Sequence, residues 1–259
     1  MSRRSEELEH LLNHALDNNH SVWVIGDVHG HFDSMLSLIE DMNLESNDHV
    51  LILGDLVDRG PKSSQIIDYV LQNEHVHAIM GNHEQMMYNS STTDDVYARY
   101  AWRNKAWGGL ATLQSYPEMV VQDEHLKFIR DLPIEVVLKR HRMVHAGYDL
   151  NFPIEEQNDE ILLKSRTIFH VKTPPDTKRQ ILVGHTPVQK ITQKTQVPTS
   201  SSGVWNSPIK LEDGRPCVVG LDGGIHRHRQ EKPALLALNL RSGEILKQRR
   251  LEFGIGDDS

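Results

Sequence analysis

An α/β fold built on parallel strands is predicted by three observations. Short, β-branched apolar runs bounded by glycine occupy residues 22–25, 50–53 and 76–80. Helical patterns follow them. Each run also ends in a string rich in glycine and metal-ligating side chains: Gly26-Asp27-Val28-His29-Gly30, Gly54-Asp55-Leu56-Val57-Asp58-Arg59-Gly60 and Gly81-Asn82-His83-Glu84. Runs without polar alternation suit strands covered on both faces. The helix predicted over 32–42 puts Phe32, Met35, Leu36, Leu38 and Ile39 on one side, and that over 63–72 does the same with Ile66, Ile67, Val70 and Leu71. The order is βαβαβ, and in such open sheets ligands bind beyond the carboxyl ends of the strands. All three strings fall there.

The chain has 259 residues, is 38% hydrophobic and shows no linker, so one domain over 1–259 is expected, with a core over 21–251 and a helical stretch within 1–20. That helix covers 6–15, with Leu8, Leu11, Leu12 and Ala15 on the face that packs at a sheet edge. A single cysteine, Cys217, leaves no internal disulfide framework. No run approaches the roughly 20 apolar residues of a membrane span, and the polar start lacks the apolar centre of a signal peptide. The expectation is a cytoplasmic protein with no membrane partner. A net charge of -8 argues against general nucleic-acid binding. Of the sixteen histidines, His10, His14, His20, His75, His77 and His125 have no ligand-like neighbours in sequence.

Aspartate, histidine and asparagine form a mixed O/N donor set that suits Mn²⁺, Fe or Zn²⁺ better than the all-oxygen preferences of Ca²⁺ and Mg²⁺. Asp27 and His29 can converge on one ion, Asp55 can bridge to a second, and Asn82 can serve that second ion. His145 in Arg142-Met-Val-His145-Ala-Gly147 and His185 in Ile181-Leu-Val-Gly184-His185-Thr186-Pro187 hold similar strand-end positions and suit the second ion too. Two ions roughly 3.5 to 4 Å apart activate water and balance charge in an in-line displacement at phosphorus. Arg59 offers a guanidinium fork to phosphate. His83, carried to the metal edge by Asn82, can protonate the leaving oxygen, and Asp58 can orient it.

The GDxHG, GDxxDRG and GNHE strings, with the later histidines, resemble the phosphoprotein phosphatase family of metal-dependent serine/threonine phosphatases. The likeness is greatest to compact bacterial and bacteriophage-lambda-type members, because Gly81-Asn-His-Glu-Gln-Met-Met87, the Trp102-Arg-Asn104 to Gly108-Gly109 segment and Gly184-His-Thr-Pro187 also resemble their counterparts. The resemblance implies a calcineurin-like metallophosphoesterase sandwich of two mixed β-sheets flanked by helices. It implies two divalent metal ions, manganese first and iron or zinc as alternatives, and attack on phosphorus by a metal-bridging hydroxide with no covalent intermediate. Carried over, Asp27, His29 and Asp55 hold one ion, and Asp55, Asn82, His145 and His185 hold the other. Asp58 with His83 matches the acid dyad and Arg59 the phosphate clamp. A second arginine is expected between the late histidines; Arg166 fits, although Lys164 stands where similar proteins usually have tryptophan. The string Leu221-Asp222-Gly223-Gly224 resembles a late Asp-Thr-Gly and reads as packing behind the site.

Residues 86–116, with Tyr97, Arg99, Tyr100, Trp102, Arg103, Lys105 and Trp107, read equally as a lid or as an amphipathic helical pair completing the core. Residues 188–215 are polar, rich in Thr, Ser, Pro and Gly, and read as a long loop or β-excursion anchored by Trp205. A terminal hairpin is expected from 233–240 and 244–251, and a solvated tail over 254–259. The expected activity is a serine/threonine protein phosphatase, with phosphotyrosine activity as an addition and a phosphorylated protein or peptide as partner. A symmetric diadenosine tetraphosphate hydrolase is the alternative; it ranks second because such enzymes typically read GDxxARG and GNHD, where this chain has Asp58 and Glu84. A binding module that has lost catalysis ranks third, since no motif position is broken.

Overall fold

The computed structural model describes residues 4–252. The expected tail over 254–259 lies outside the described residues. The first half runs α1 (Glu6–Asp17), β1 (Val22–Ile25), α2 (Phe32–Asp41), β2 (His49–Ile52), α3 (Ser63–Gln72), β3 (Val76–Ala78), α4 (Asn82–Thr92), α5 (Val96–Arg103), α6 (Gly109–Gln114) and α7 (Asp123–Asp131). The second half runs β4 (Glu135–Val137), β5 (His141–Val144), α8 (Asp159–Lys164), β6 (Gln180–Val183), α9 (Val188–Thr195), β7 (Trp205–Asn206), β8 (Val218–Gly220), β9 (Ala234–Asn239) and β10 (Ile245–Arg249).

Among the described residues the strands form two five-stranded sheets, in the orders β10-β9-β1-β2-β3 and β4-β5-β6-β8-β7. In the first, β1, β2 and β3 are parallel while β9 and β10 run antiparallel, and in the second, β5, β6 and β8 are parallel while β4 and β7 run antiparallel. Both sheets are therefore mixed. The expected parallel strands β1, β2 and β3 form from the three early apolar runs, with β1 and β2 buried along their whole length and β3 at all but His77. Each fully buried leucine or isoleucine contributes roughly 1.5–3 kcal/mol. The terminal hairpin forms as expected, with Asn239 N–H and Glu244 C=O joined at 2.9 Å.

Helices cover the sheets. Helix α2 lies against β9 and β10, and α3 against β3 and α7. Helix α1 starts at a Ser5 cap whose hydroxyl accepts Leu8 N–H at 3.2 Å, and its Glu9 carboxylate accepts Val137 N–H at 2.8 Å, which fastens the helix to the β4 edge. No helix among the described residues is long and apolar enough to cross a membrane.

One segment departs from expectation, and a second combines its two expected readings. Residues 188–195 form helix α9 instead of a loop, because Val188 and Ile191, three apart, bury one face under polar residues that conceal the pattern. Only the remainder, with the short strand β7, is excursion. Residues 86–116 are helical and begin inside α4; Trp102 is buried while Tyr97 and Tyr100 are exposed, so the segment is both core and surface.

Candidate metal centre

The three early strings leave the carboxyl ends of β1, β2 and β3, and His145, His185 and Asp222 follow β5, β6 and β8. Both sheets thus deliver their strand ends to one cleft. The turns there are tight enough that His29, Asp55, Asp58, Arg59 and His185 all have positive φ, at 47°, 49°, 73°, 73° and 60°. Non-glycine residues visit that region rarely, and their concentration at one cleft marks a place where geometry outranks local comfort. Gly54, at φ 87°, opens the second string, and a Cβ on Gly81 would stand 2.3 Å from Asp55 Oδ1. Both positions need glycine.

One carboxylate organises the loops. Glu84 Oε2 accepts Asp55 N–H at 2.7 Å and Gly81 N–H at 2.8 Å, while Oε1 accepts Leu56 N–H at 2.7 Å and Val57 N–H at 3.2 Å. Burial pushes the Glu84 carboxyl up to about 7, with the nearby Asp55 charge acting in the same direction.

Two groups of donors lie in the cleft, His29 with Asp55 and His83, and Asp55 with His145 and His185; within each the ligating atoms lie within 4.8 Å of one another. Asp55 belongs to both. Asp27 sits beside them, its Oδ2 3.9 Å from His29 Nε2 and its carboxylate accepting His185 N–H at 2.9 Å. Asn82 Oδ1 lies 3.0 Å from His145 Nε2 and 2.7 Å from His185 Nδ1. The structure therefore brings all six expected ligands together, and places His83, expected as an acid only, within reach of the first group as well.

The hydrogen bonds set the imidazole tautomers. His29 Nδ1 donates to Val57 C=O at 3.0 Å and His145 Nδ1 to Leu53 C=O at 2.7 Å, since a carbonyl oxygen can only accept, and His83 Nδ1 lies 2.6 Å from Asp58 Oδ2. The Nε2 of His29 and that of His145 then turn a lone pair toward the cleft. His145 Nε2 faces Asn82 Oδ1 at 3.0 Å and Asp55 Oδ1 at 3.4 Å, so lone pairs confront lone pairs, and His185 Nε2 is buried without a hydrogen-bond partner. Cations relieve such a cluster, and the mixed O/N set fits two divalent transition metals. Asp27, His29 and Asp55 could hold one; Asp55, Asn82, His145 and His185 could hold the other.

The electrostatics agree with that donor set. Burial holds His29, His145 and His185 below the usual imidazole range, helped at His29 by Arg59, and so keeps them neutral. Burial pushes Asp55 up, but His145, His83, His185 and Arg59 outweigh it and leave Asp55 at about 2. Burial, then Asp222 and Asp55, raises Asp27 well above the carboxylate range.

Around the donors, Arg59 donates to His29 Nε2 at 2.5 Å and His83 Nε2 at 2.9 Å. Asp58, fully buried, accepts His83 Nδ1–H, the Trp102 indole N–H at 2.9 Å and the Thr112 hydroxyl at 2.7 Å. Arg166 is exposed at the rim, where its charge helps lower His145 and His185. Asp222 is buried close to Asp27 and Asp55, its Oδ1 accepting Gly224 N–H at 2.8 Å. Sequence reasoning missed His226, whose Nδ1 lies 3.0 Å from Arg59 and whose ring is 4.7 Å from that of His29. It also missed Thr112. Only folding brings either residue to the site, and neither belongs to a string with ligand chemistry.

The model of the calcineurin-like phosphoesterase family matches residues 20–216. A zinc-dependent endopolyphosphatase of Saccharomyces cerevisiae is 30% identical over 115 residues, covering 43% of this chain and 35% of the relative. A symmetrical bis(5'-nucleosyl)-tetraphosphatase of Klebsiella pneumoniae is 32% identical over 139 residues, 52% of this chain and 46% of the relative. The matched stretches thus span less than half the length of these curated relatives. Among solved structures, one assigned as a candidate diadenosine tetraphosphatase superposes with a TM-score of 0.64 at 15% identity, over 98% of this chain and all of the other, a likeness of fold. With a family match across most of its length and the two-sheet sandwich that carries the cleft, the chain belongs to the calcineurin-like phosphoesterases.

Proposed function

We propose that this chain is a metal-dependent phosphohydrolase that cleaves phosphoanhydrides, with symmetrical bis(5'-nucleosyl) tetraphosphates as its substrate class. The observation that carries the reading is Asp55 shared between two donor groups, with Arg59 and His83 beside it and an indole at the edge. Trp107 is partly exposed, and its ring stands 6.0 Å from that of His83, a surface on which a nucleobase can stack. Both curated relatives named above also carry polyphosphate-cleaving names, which favours an anhydride over the protein phosphoester that ranks first on sequence alone.

Bound cations supply Lewis acidity and lower the pKa of water at the cleft. The chain's own residues do the rest. Arg59 clamps non-reacting phosphoryl oxygens, and Arg166 attracts the polyanion from the rim. His83, oriented by Asp58, donates a proton to a leaving oxygen basic enough to need one, and the buried Trp102 and Thr112 keep that carboxylate from turning away.

A second reading, a phosphomonoesterase acting on protein serine and threonine, is favoured by the Asp58–His83 pair itself. An alkoxide is a strong base that needs a proton to leave, whereas a nucleoside diphosphate leaves readily without one. Parallel assays in Mn²⁺ decide: nucleoside diphosphate released from diadenosine tetraphosphate against phosphate released from a phosphoserine peptide. A higher kcat/KM on the tetraphosphate is expected, and a reversed preference replaces the first reading with the second.

A further inference from the structure

The loop after β8 brings to the cleft a histidine that the donor groups, the phosphate clamp and the acid do not use. Arg227 N–H closes on Gly224 C=O at 2.9 Å, and Gly224, at φ 69°, stands where a Cβ would come within 2.7 Å of Arg227 Cδ, so the turn is tight. The buried Arg250 donates to the carbonyls on either side of His226, those of Ile225 at 3.5 Å and Arg227 at 3.3 Å. His226 is thereby held at the cleft, its ring edge-on to that of His29 at 88° with centroids 4.7 Å apart.

A guanidinium has donors only, so the 3.0 Å contact between Arg59 Nη1 and His226 Nδ1 makes that nitrogen the acceptor and puts the ring proton on Nε2. Among the described residues Nε2 has no hydrogen-bond partner, and it is not enclosed, because the ring is only partly buried. An uncommitted N–H donor therefore stands beside the Arg59 fork. Arg59 donates to three imidazoles, and two of them have other duties: His29 Nε2 is a candidate ligand atom, and His83 Nε2 is where the leaving group's proton must sit. His226 is the acceptor compatible with both.

Charge on the same flank suits an anion longer than one phosphoryl group. Lys190, exposed on α9, is held below the usual lysine range by burial and then by the charges of Arg227, Arg166 and Arg59. Glu231 takes up Arg227 at 2.6 Å, so Arg59, Arg166 and Lys190 supply the field. We propose that His226 is a substrate-binding residue: its Nδ1 steadies the Arg59 fork, and its Nε2–H donates to the phosphoryl group next to the one under attack. The inference rests on the phosphoanhydride reading, since a phosphoserine carries no second phosphoryl group there. It gives the cleft a preference for condensed phosphates.

The test is inhibition of p-nitrophenyl phosphate hydrolysis by orthophosphate and by tripolyphosphate, with free Mn²⁺ held constant. Asparagine keeps an acceptor near the Nδ1 position and lacks the Nε2 donor, whereas the longer glutamine returns a donor to that place. His226→Asn should therefore raise the tripolyphosphate Ki about tenfold more than the orthophosphate Ki, the worth of one hydrogen bond to a charged group. His226→Gln should recover most of that difference, and calorimetric titration with tripolyphosphate should rank the three proteins in the same order. An equal rise for both inhibitors in His226→Asn overturns the proposal and leaves His226 acting through Arg59 alone. No rise for either inhibitor overturns it too, as does a His226→Gln as impaired as His226→Asn. Neither inhibitor enters the comparison of tetraphosphate with phosphopeptide, so a wild type that prefers the peptide defeats the phosphoanhydride reading and is told apart from these outcomes.

Discussion

Asp58→Asn isolates the proposed role of His83 as leaving-group acid. The substitution keeps the shape of a fully buried side chain and, with the amide oxygen toward His83 and Trp102, keeps their hydrogen bonds; the amide nitrogen can donate to Thr112. What disappears is the negative charge 2.6 Å from His83 Nδ1. At an effective dielectric of about 20, that charge stabilises an imidazolium by at most about 6 kcal/mol. The Trp102 and Thr112 donors share the carboxylate and reduce the figure, so the expected loss is about 10²–10⁴ in kcat where proton donation matters. The loss should follow leaving-group basicity: large for a phosphoserine peptide, small for p-nitrophenyl phosphate, and close to the nitrophenyl value for diadenosine tetraphosphate. The assay is kcat/KM for the three substrates at constant metal content. An equal loss on all three would refute the assignment of His83 as acid and leave Asp58 as scaffolding.

Further outcomes follow from the same geometry. Asp55→Asn should strip metal from both donor groups, read by metal analysis, whereas His83→Asn should keep the metal while also losing turnover; equal metal loss in both would make His83 a ligand and not an acid. Gly81→Ala drives a Cβ to 2.3 Å from Asp55 Oδ1 and 2.4 Å from Asp55 N, so stability should fall by about 1–3 kcal/mol in urea titration, with lower activity. Acid should weaken the fold in two windows. Burial, with Arg215 and Arg140, holds His141 at about 3, so its stabilising preference for the neutral form is complete above about 6.5 and lost as pH falls toward 3. Glu252 is raised by burial but bonded to His31 and Ser34, and ends at about 2; its contribution is complete above about 4.5 and lost as pH falls toward 2. Glu252→Gln should therefore cost roughly 2–3 kcal/mol at pH 7 and flatten the urea-midpoint profile below pH 4.5.

The parallel strands, the helices between them and the six candidate ligands that the fold brings together were legible in the sequence because each is written locally, as an apolar run, a helical period or a glycine-bounded string. The contact between Asp58 and His83 was legible for the same reason, since both lie within those strings. What escaped depends on residues that meet only in three dimensions. His226 reaches Arg59 across 167 positions, and Thr112 reaches Asp58 across 54. Helix α9 was hidden by its composition, with only Val188 and Ile191 buried among polar residues. The substrate preference drawn from Asp58 and Glu84 weakened for another reason: those residues report how loops and protons are held, and the named relatives point toward anhydrides.

A Glu84 side chain that gathers four amide protons from two strings behaves as a spacer bar of fixed length. Aspartate at the same place is one methylene shorter, so a protein with that residue must draw its two turns closer to make the same bonds, or forgo some of them. Whether position 84 reads Glu or Asp therefore measures the gap between two loops, and carries over to catalysis only through where that gap sets Asp55 relative to its partners.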